Sequence, residues 1–366
     1  LKEDRKLLLY IHIPFCNSKC YYCGFNSYTG KRDLWKEYLE GLISQFNWLQ
    51  QIAPARFKTL FIGGGTPSTM DPEFYHLLME VIEPYLIPGG ERTIEANPDL
   101  PSGWLTSIAP YFNRISFGVQ SFNREKLKFL GRSHSSKEAI EAVEEAYQVG
   151  FKNINLDLIY GVKGDSWELL STDLQIAFSL PITHISAYSL TIEPGTLFAR
   201  RPDVRLNSEE LELRFIETIK ERFFQYEISN FGKICRHNLG YWQLEEYRGI
   251  GAGAVGFERT NSNWKELFPE ITSSHFRYYH SNQIEKYIQN PMPIRVEPIG
   301  KKELKTEKLL LGLRSIVGVN KAILSEPELK KANQLVKMGF LEEKRDRLYS
   351  RRFELADRLA LEILSV

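Results

Sequence analysis

Six apolar runs of strand character, separated by stretches of helical periodicity, set the architecture that this chain can adopt. The runs span residues 7–13, 59–63, 92–96, 114–119, 153–160 and 184–192. Helical periodicity covers residues 34–52, and also 72–86, where Asp71 is the expected N-cap and Pro72 the first helical residue. Further helices are expected over 137–149 after Ser135/Ser136, over 167–180 after Asp165/Ser166, and over 209–224 capped by Ser208. Strands alternating with helices imply a parallel sheet built by right-handed crossovers. Six such units fall short of the eight that close a barrel. The expected fold class is therefore α/β, a partial, open (β/α)6 barrel.

The pattern changes after about residue 230. Residues 230–258 are rich in glycine and aromatics, a polar stretch follows over 261–282, and Pro291, Pro293 and Pro298 read as a linker. Helices are expected over 302–314, 326–338 and 353–364, with a β wing over 341–348, as in a small winged-helix-like domain. The expected division is a core over 1–232, a connecting segment over 233–300, and a C-terminal domain over 301–366. With 47 Lys/Arg against 46 Asp/Glu, the chain has no overall field to draw nucleic acid. Residues 301–366 hold 15 Lys/Arg against 10 Asp/Glu, a net +5, but the signs alternate from Glu342 to Arg347, as on a solvated face. No apolar run approaches the roughly 18 residues of a spanning helix. The charged first six residues run straight into a strand and show no signal peptide. Four cysteines make no disulfide framework, which points to a reducing, cytoplasmic setting. A homodimer and peripheral contact with a membrane are both compatible with this composition.

Each apolar strand ends in polar or glycine-rich sequence, the end at which barrels gather their active sites. The first such end holds Cys16, Cys20 and Cys23, a C-x3-C-x2-C arrangement. Three soft thiolates in one loop suit an iron–sulfur cluster with one iron left open to a small molecule. They also suit zinc, with His12 as a fourth ligand.

The stretch Tyr10-Ile-His-Ile-Pro-Phe-Cys16, continued by Cys20 and Cys23, resembles the cluster loop of radical S-adenosylmethionine (SAM) enzymes. More narrowly it is similar to the oxygen-independent coproporphyrinogen III oxidase family. The likeness continues through Gly63-Gly-Gly-Thr-Pro67, Glu95-Ala-Asn-Pro98, Ser116-Phe-Gly-Val-Gln120, Leu130-Gly-Arg132-Ser-His134 and Asn155-Leu-Asp157. It implies a [4Fe–4S] cluster on Cys16, Cys20 and Cys23, and SAM bound at its open iron. It also implies that Gly64, Gly65 and Thr66 offer backbone to the methionine part of SAM. Glu95 would take its ammonium and Arg132 its carboxylate. Gln120 and Asp157 would meet the ribose, with Tyr10 and Tyr22 flanking the adenosyl group.

Two departures separate this chain from the porphyrinogen-oxidising members. Phe25 stands where they carry a further cysteine, and only six residues precede the first strand. Both resemble the heme-chaperone branch, whose H-N-x-x-Y-W motif is matched by His237-Asn-Leu-Gly-Tyr-Trp242. That resemblance implies heme as a ligand, with His237 as candidate heme ligand, and heme-accepting respiratory apoproteins as partners. No catalytic residue is assigned, and decarboxylase activity is expected to be absent. The alternative is an oxidase that decarboxylates coproporphyrinogen III to protoporphyrinogen IX through a 5′-deoxyadenosyl radical. A third class, a radical enzyme acting on nucleic acid, rests only on the interleaved charge of the C-terminal residues. Val255 replaces a histidine that the family often carries, so no role is transferred to it. Gly251–Gly256 spells G-x-G-x-x-G, but no leading strand is expected and no βαβ unit surrounds it, which argues against a dinucleotide site.

Overall fold

The computed structural model describes residues 5–201 and 203–366. Six strands pair in parallel in chain order: β1 (Lys6–Ile13), β2 (Arg56–Gly64), β3 (Leu86–Ala96), β4 (Arg114–Gln120), β5 (Ile154–Tyr160) and β6 (His184–Ser189). All six expected strands are present. A short β7 (Asn230–Gly232) runs antiparallel to β6 at one edge. At the other edge β8 (Tyr247–Ile250) lies parallel to β1. It is followed by the antiparallel strands β9 (Val255–Arg259), β10 (His275–Tyr279) and β11 (Arg295–Ile299). The result is one open sheet of eleven strands in the order β11-β10-β9-β8-β1-β2-β3-β4-β5-β6-β7.

Side-chain alternation divides this sheet into two unlike faces. Leu7, Leu9, Ile11 and Ile13 of β1 enter the main core, as do Ile115, Phe117 and Val119 of β4 and Ile154, Leu156 and Leu158 of β5. They pack against helices that include α1 (Trp35–Ile52), α2 (Pro72–Ile82), α3 (Ser136–Gln148), α4 (Trp167–Ser179) and α5 (Glu209–Lys220). Each such side chain contributes roughly 1.5–3 kcal/mol by leaving water. The alternate positions are largely polar and form an inner face: Glu95, Arg114, Ser116, Asn155, Asp157, His184 and Ser186 among them. Serine caps start three of these helices, with Ser135 and Glu138 forming a capping box and Ser166 and Ser208 each accepting an amide bond. Asp71 makes no capping bond; its carboxylate takes Arg32 instead.

The segment read as a glycine- and aromatic-rich stretch and linker holds β8 to β11. Its apolar pattern is broken because charged side chains are paired inside it. Arg248 and Glu258 are both fully buried and hydrogen-bonded, with Tyr278 donating to the same carboxylate at 2.9 Å. A strand therefore does lead into Gly251–Gly256. The next element is an antiparallel strand rather than a helix, so the dinucleotide motif still lacks its anion-binding terminus.

Residues 301–366 contain helices Lys301–Leu313, Glu326–Lys337 and Ala356–Leu364. They surround a three-stranded sheet in the order β12 (Val319–Asn320), β14 (Arg347–Ser350), β13 (Leu341–Lys344). Leu309, Leu313, Leu335, Leu348, Leu359 and Ile363 give this part a core of its own. It is stitched to the loop before β7 by Ile228 N–H to Arg314 O at 3.0 Å and Ile316 N–H to Tyr226 O at 2.9 Å. No helix among the described residues is long and apolar enough to cross a membrane.

Candidate functional site

Past β1, the two residues Phe15–Cys16 pair in parallel with Tyr28–Thr29 and close the cysteine loop on itself. Lys19 Nζ fastens the loop from within by donating to Phe25 O at 2.9 Å and Ser27 Oγ at 2.6 Å. Asn26 ties it to the turn after β8 through Ala252 O at 2.9 Å. Cys16, Cys20 and Cys23 are half-buried, and all three line one cavity of about 810 Å³. Burial pushes the Cys16 thiol up, against a contact with Thr66 Oγ1 at 3.4 Å. Cys20 Sγ accepts from Arg132 Nη1 at 3.2 Å. Cys235 lies elsewhere, fully buried, its thiol donating to Glu91 and pushed up to about 12 by burial.

His12 does not join the thiols. Its Nε2 faces the Asn26 carbonyl at 2.8 Å and its Nδ1 the Tyr10 hydroxyl at 2.9 Å, so both ring nitrogens are occupied. Burial lowers its pKa and keeps the ring neutral. Among the described residues no group of three or more His, Cys, Asp or Glu side chains is set to hold a single metal ion. The Cys3His zinc site therefore lacks its fourth ligand.

The ends of the following strands complete the cavity wall. β2 supplies Gly64, followed by Gly65 and Thr66. Gly64 has φ +120°, and a Cβ there would stand 2.5 Å from the His12 ring; a Cβ on Gly65 would stand 2.7 Å from Phe15 O. Glycine is what lets this turn nest against the cysteine loop. The Gly64 N–H donates to Glu95 Oε2 at 3.1 Å. Burial first, and Asp157 second, push Glu95 up to about 8; burial also raises Asp157. Gln120 ends β4 with φ +67°, a left-handed conformation unusual outside glycine. Arg132 donates through Nη2 to Asn97 Oδ1 at 2.7 Å and to Gly118 O, while its Nε is buried without a partner. Tyr22, Gly64, Gly65, Thr66, Glu95, Gln120, Arg132 and Asp157 thus line the same cavity as the three thiols. The donor set fits the expected groups: three thiols for a cluster, and an orphaned guanidinium N–H, a carboxyl and open glycine backbone for an amino acid ligand. Asn97 and Gly118 were missed by sequence reasoning. Both had a signal, since Asn97 lies two residues after Glu95 and Gly118 two residues before Gln120 in matched motifs, though Gly118 acts only through its carbonyl.

Tyr10 and His237 lie apart from the other expected site residues. Neither lines the large cavity. Both line a smaller one of about 200 Å³ on the inner face, with Phe61, Glu95, Arg114, Ser116, Asn155, Asp157, Ser186, Tyr188, Asn238 and Tyr241. Tyr10 lies one β-strand step from His12 and packs on Phe61. His237 opens the short helix α6 (Arg236–Trp242) and is fully buried. Its Nδ1 meets Thr59 Oγ1 at 2.7 Å and its Nε2 meets the Tyr241 hydroxyl at 2.9 Å. Burial and the Arg114 charge lower its pKa to about 3. His237 therefore presents no free nitrogen to heme iron, and the macrocycle does not fit a cavity below the usual 300–1,000 Å³ of small-molecule sites. Glu91, also unforeseen, anchors α6: its carboxylate accepts from the Arg236 and His237 amides, each at 3.0 Å.

The sequence profile of the radical SAM superfamily matches residues 10–175. The heme chaperone HemW of Bacillus subtilis (strain 168) is 35% identical over 335 residues, covering 87% of this chain and 86% of that protein. The HemW of Escherichia coli (strain K12) is 40% identical over 263 residues, covering 68% and 70%. Among solved structures, coproporphyrinogen III oxidase (HemN) from Escherichia coli, described as a radical SAM enzyme, superposes with a TM-score of 0.80. It covers 98% of this chain and 90% of that one at 19% identity, a likeness of fold.

Proposed function

The chain belongs to the HemW family within the radical SAM superfamily, and from that membership we propose that it is a heme chaperone that binds a [4Fe–4S] cluster, SAM and heme and passes heme to respiratory apoproteins. The carrying observation is the convergence of three thiols and eight expected SAM-contact residues on one cavity. In this reading Cys16, Cys20 and Cys23 hold the cluster, whose open iron supplies a site for the amino and carboxylate groups of SAM. Gly64, Gly65 and Thr66 border the methionine part, with Glu95 for its ammonium. Arg132 already donates three of its five N–H groups to Cys20, Asn97 and Gly118, so Nε–H and the second Nη1–H are the donors left for the carboxylate. Gln120 and Asp157 meet the ribose, and Tyr22 covers the adenosyl group from the cysteine loop. The protein acts in the cytoplasm, where its thiols stay reduced.

Heme is assigned from the family and not from His237, whose two nitrogens are bonded to neighbours. Decarboxylation of coproporphyrinogen III, the rival activity, is disfavoured by Phe25, an exposed phenyl at the cavity edge in place of a thiol. Titrating the anaerobically reconstituted protein with heme, beside a coproporphyrinogen III conversion assay, tests the reading. Heme binding without conversion is expected. Conversion to protoporphyrinogen IX would replace the chaperone by the oxidase, and absence of heme binding would remove the chaperone.

A further inference from the structure

The smaller cavity on the inner face is lined by a buried guanidinium with a donor that nothing in the protein accepts. Arg114 is 2% exposed and lines this cavity, and its Nε is buried with no hydrogen-bond partner. The acidic groups facing it are Cys235, Glu91, Tyr226, Asp157 and Glu95, with the neutral rings of His184 and His237 also near it. Each has other work. Glu91 accepts from the Cys235 thiol and two amides of α6, Tyr226 pairs with His184, and Asp157 accepts from Asn155 at 2.7 Å. A guanidinium carries five donors in a planar fork, and buried donors are as a rule paired. The complementary acceptor is a carboxylate taken bidentately.

We propose that this cavity is a subsite for a carboxylate at the end of a short alkyl arm, held by Arg114, and that the arm is a propionate of heme. The cavity shares Glu95, Ser116, Asp157 and Tyr188 with the large one, so an arm reaching in from the cluster side passes between these four. At about 200 Å³ it admits an arm and excludes the macrocycle. The two carboxyls on its wall do not oppose an anion in full. Burial raises both, Glu95 to about 8, which lessens the negative charge that they present while no SAM ammonium is bound. The closed side is the His237–Tyr241 pair of α6, which places the H-N-x-x-Y-W motif as a wall of the subsite, with Asn238 beside it. The carboxylate subsite stands on Arg114 alone; naming the arm as heme propionate rests on the chaperone reading.

Heme and heme dimethyl ester are titrated against the reconstituted protein and its Arg114→Gln variant, and thermal stability is read with sodium propionate and with propionamide. The free acid should bind wild type at least tenfold tighter than the ester. The variant should lose that preference while keeping its affinity for the ester. Propionate, and not propionamide, should raise the melting temperature of wild type only. Equal binding of acid and ester, with a propionate response confined to wild type, would keep the subsite and overturn heme as its source. If neither heme form binds, the chaperone reading falls and the propionate arm alone decides the subsite. No propionate response and no acid preference in wild type would overturn the proposal, even if the variant fails to fold.

Discussion

At the scale of single residues, the cysteine loop was legible because three thiols at fixed spacing have few uses. The strand-end glycines and carboxyls were legible as matched motifs. Tyr10 and His237 line the inner-face cavity instead of the one bordered by the thiols, a separation that no motif in the sequence reports. Burial keeps His237 neutral with a pKa of about 3, against 6.5 in the unfolded chain. The folded state therefore holds one proton fewer, and its stability is full above pH 6.5 and declines as pH falls below it. At pH 5.5 this residue should account for about 1.4 kcal/mol of lost stability. Urea melts of His237→Gln should show a correspondingly shallower pH slope between pH 7 and pH 5.5. An unchanged slope would mean that the imidazole is not held neutral. Gly64→Ala forces a Cβ toward the His12 ring at φ +120° and should destabilise by at least about 1–3 kcal/mol. Denaturant unfolding checks it.

At the scale of elements, the six parallel strands were readable because their outer faces are continuous aliphatic rows. β8 to β11 were not. They are short, and their buried positions include Arg248 and Glu258, which satisfy each other inside the protein and look solvent-exposed in sequence. The anchoring of α6 was invisible too, since Glu91 lies some 145 residues away in the chain. Hydrogen bonds to a charged group contribute about 1.5–3 kcal/mol. Glu91→Ala should therefore loosen the start of α6 by at least that much. Amides of residues 236–242 should exchange faster with solvent while those of α3 stay protected. Equal protection in the variant would show that packing, and not this carboxylate, holds the helix.

At the scale of the whole molecule, an open α/β sheet presents one cavity at its strand ends and one on its inner face, and the C-terminal part is stitched to the loop that lines the first. Ile228 and Ser229 border the large cavity while residues 226–228 bond to 314–316, which ties the two parts at the site itself. The net +5 of residues 301–366 is interleaved with acids, so tRNA or DNA should not bind with the steep salt dependence of a phosphate track. A salt-sensitive micromolar complex would contradict that. The central claim is that three thiols hold a cluster with one iron open to SAM. Its most direct test is electron paramagnetic resonance of the reduced, anaerobically reconstituted protein, with and without SAM. A [4Fe–4S] signal that changes on adding SAM, is lost in Cys20→Ser and is unaltered in Cys235→Ser is the predicted result. A signal indifferent to SAM, or one that survives the loss of Cys20, would contradict it.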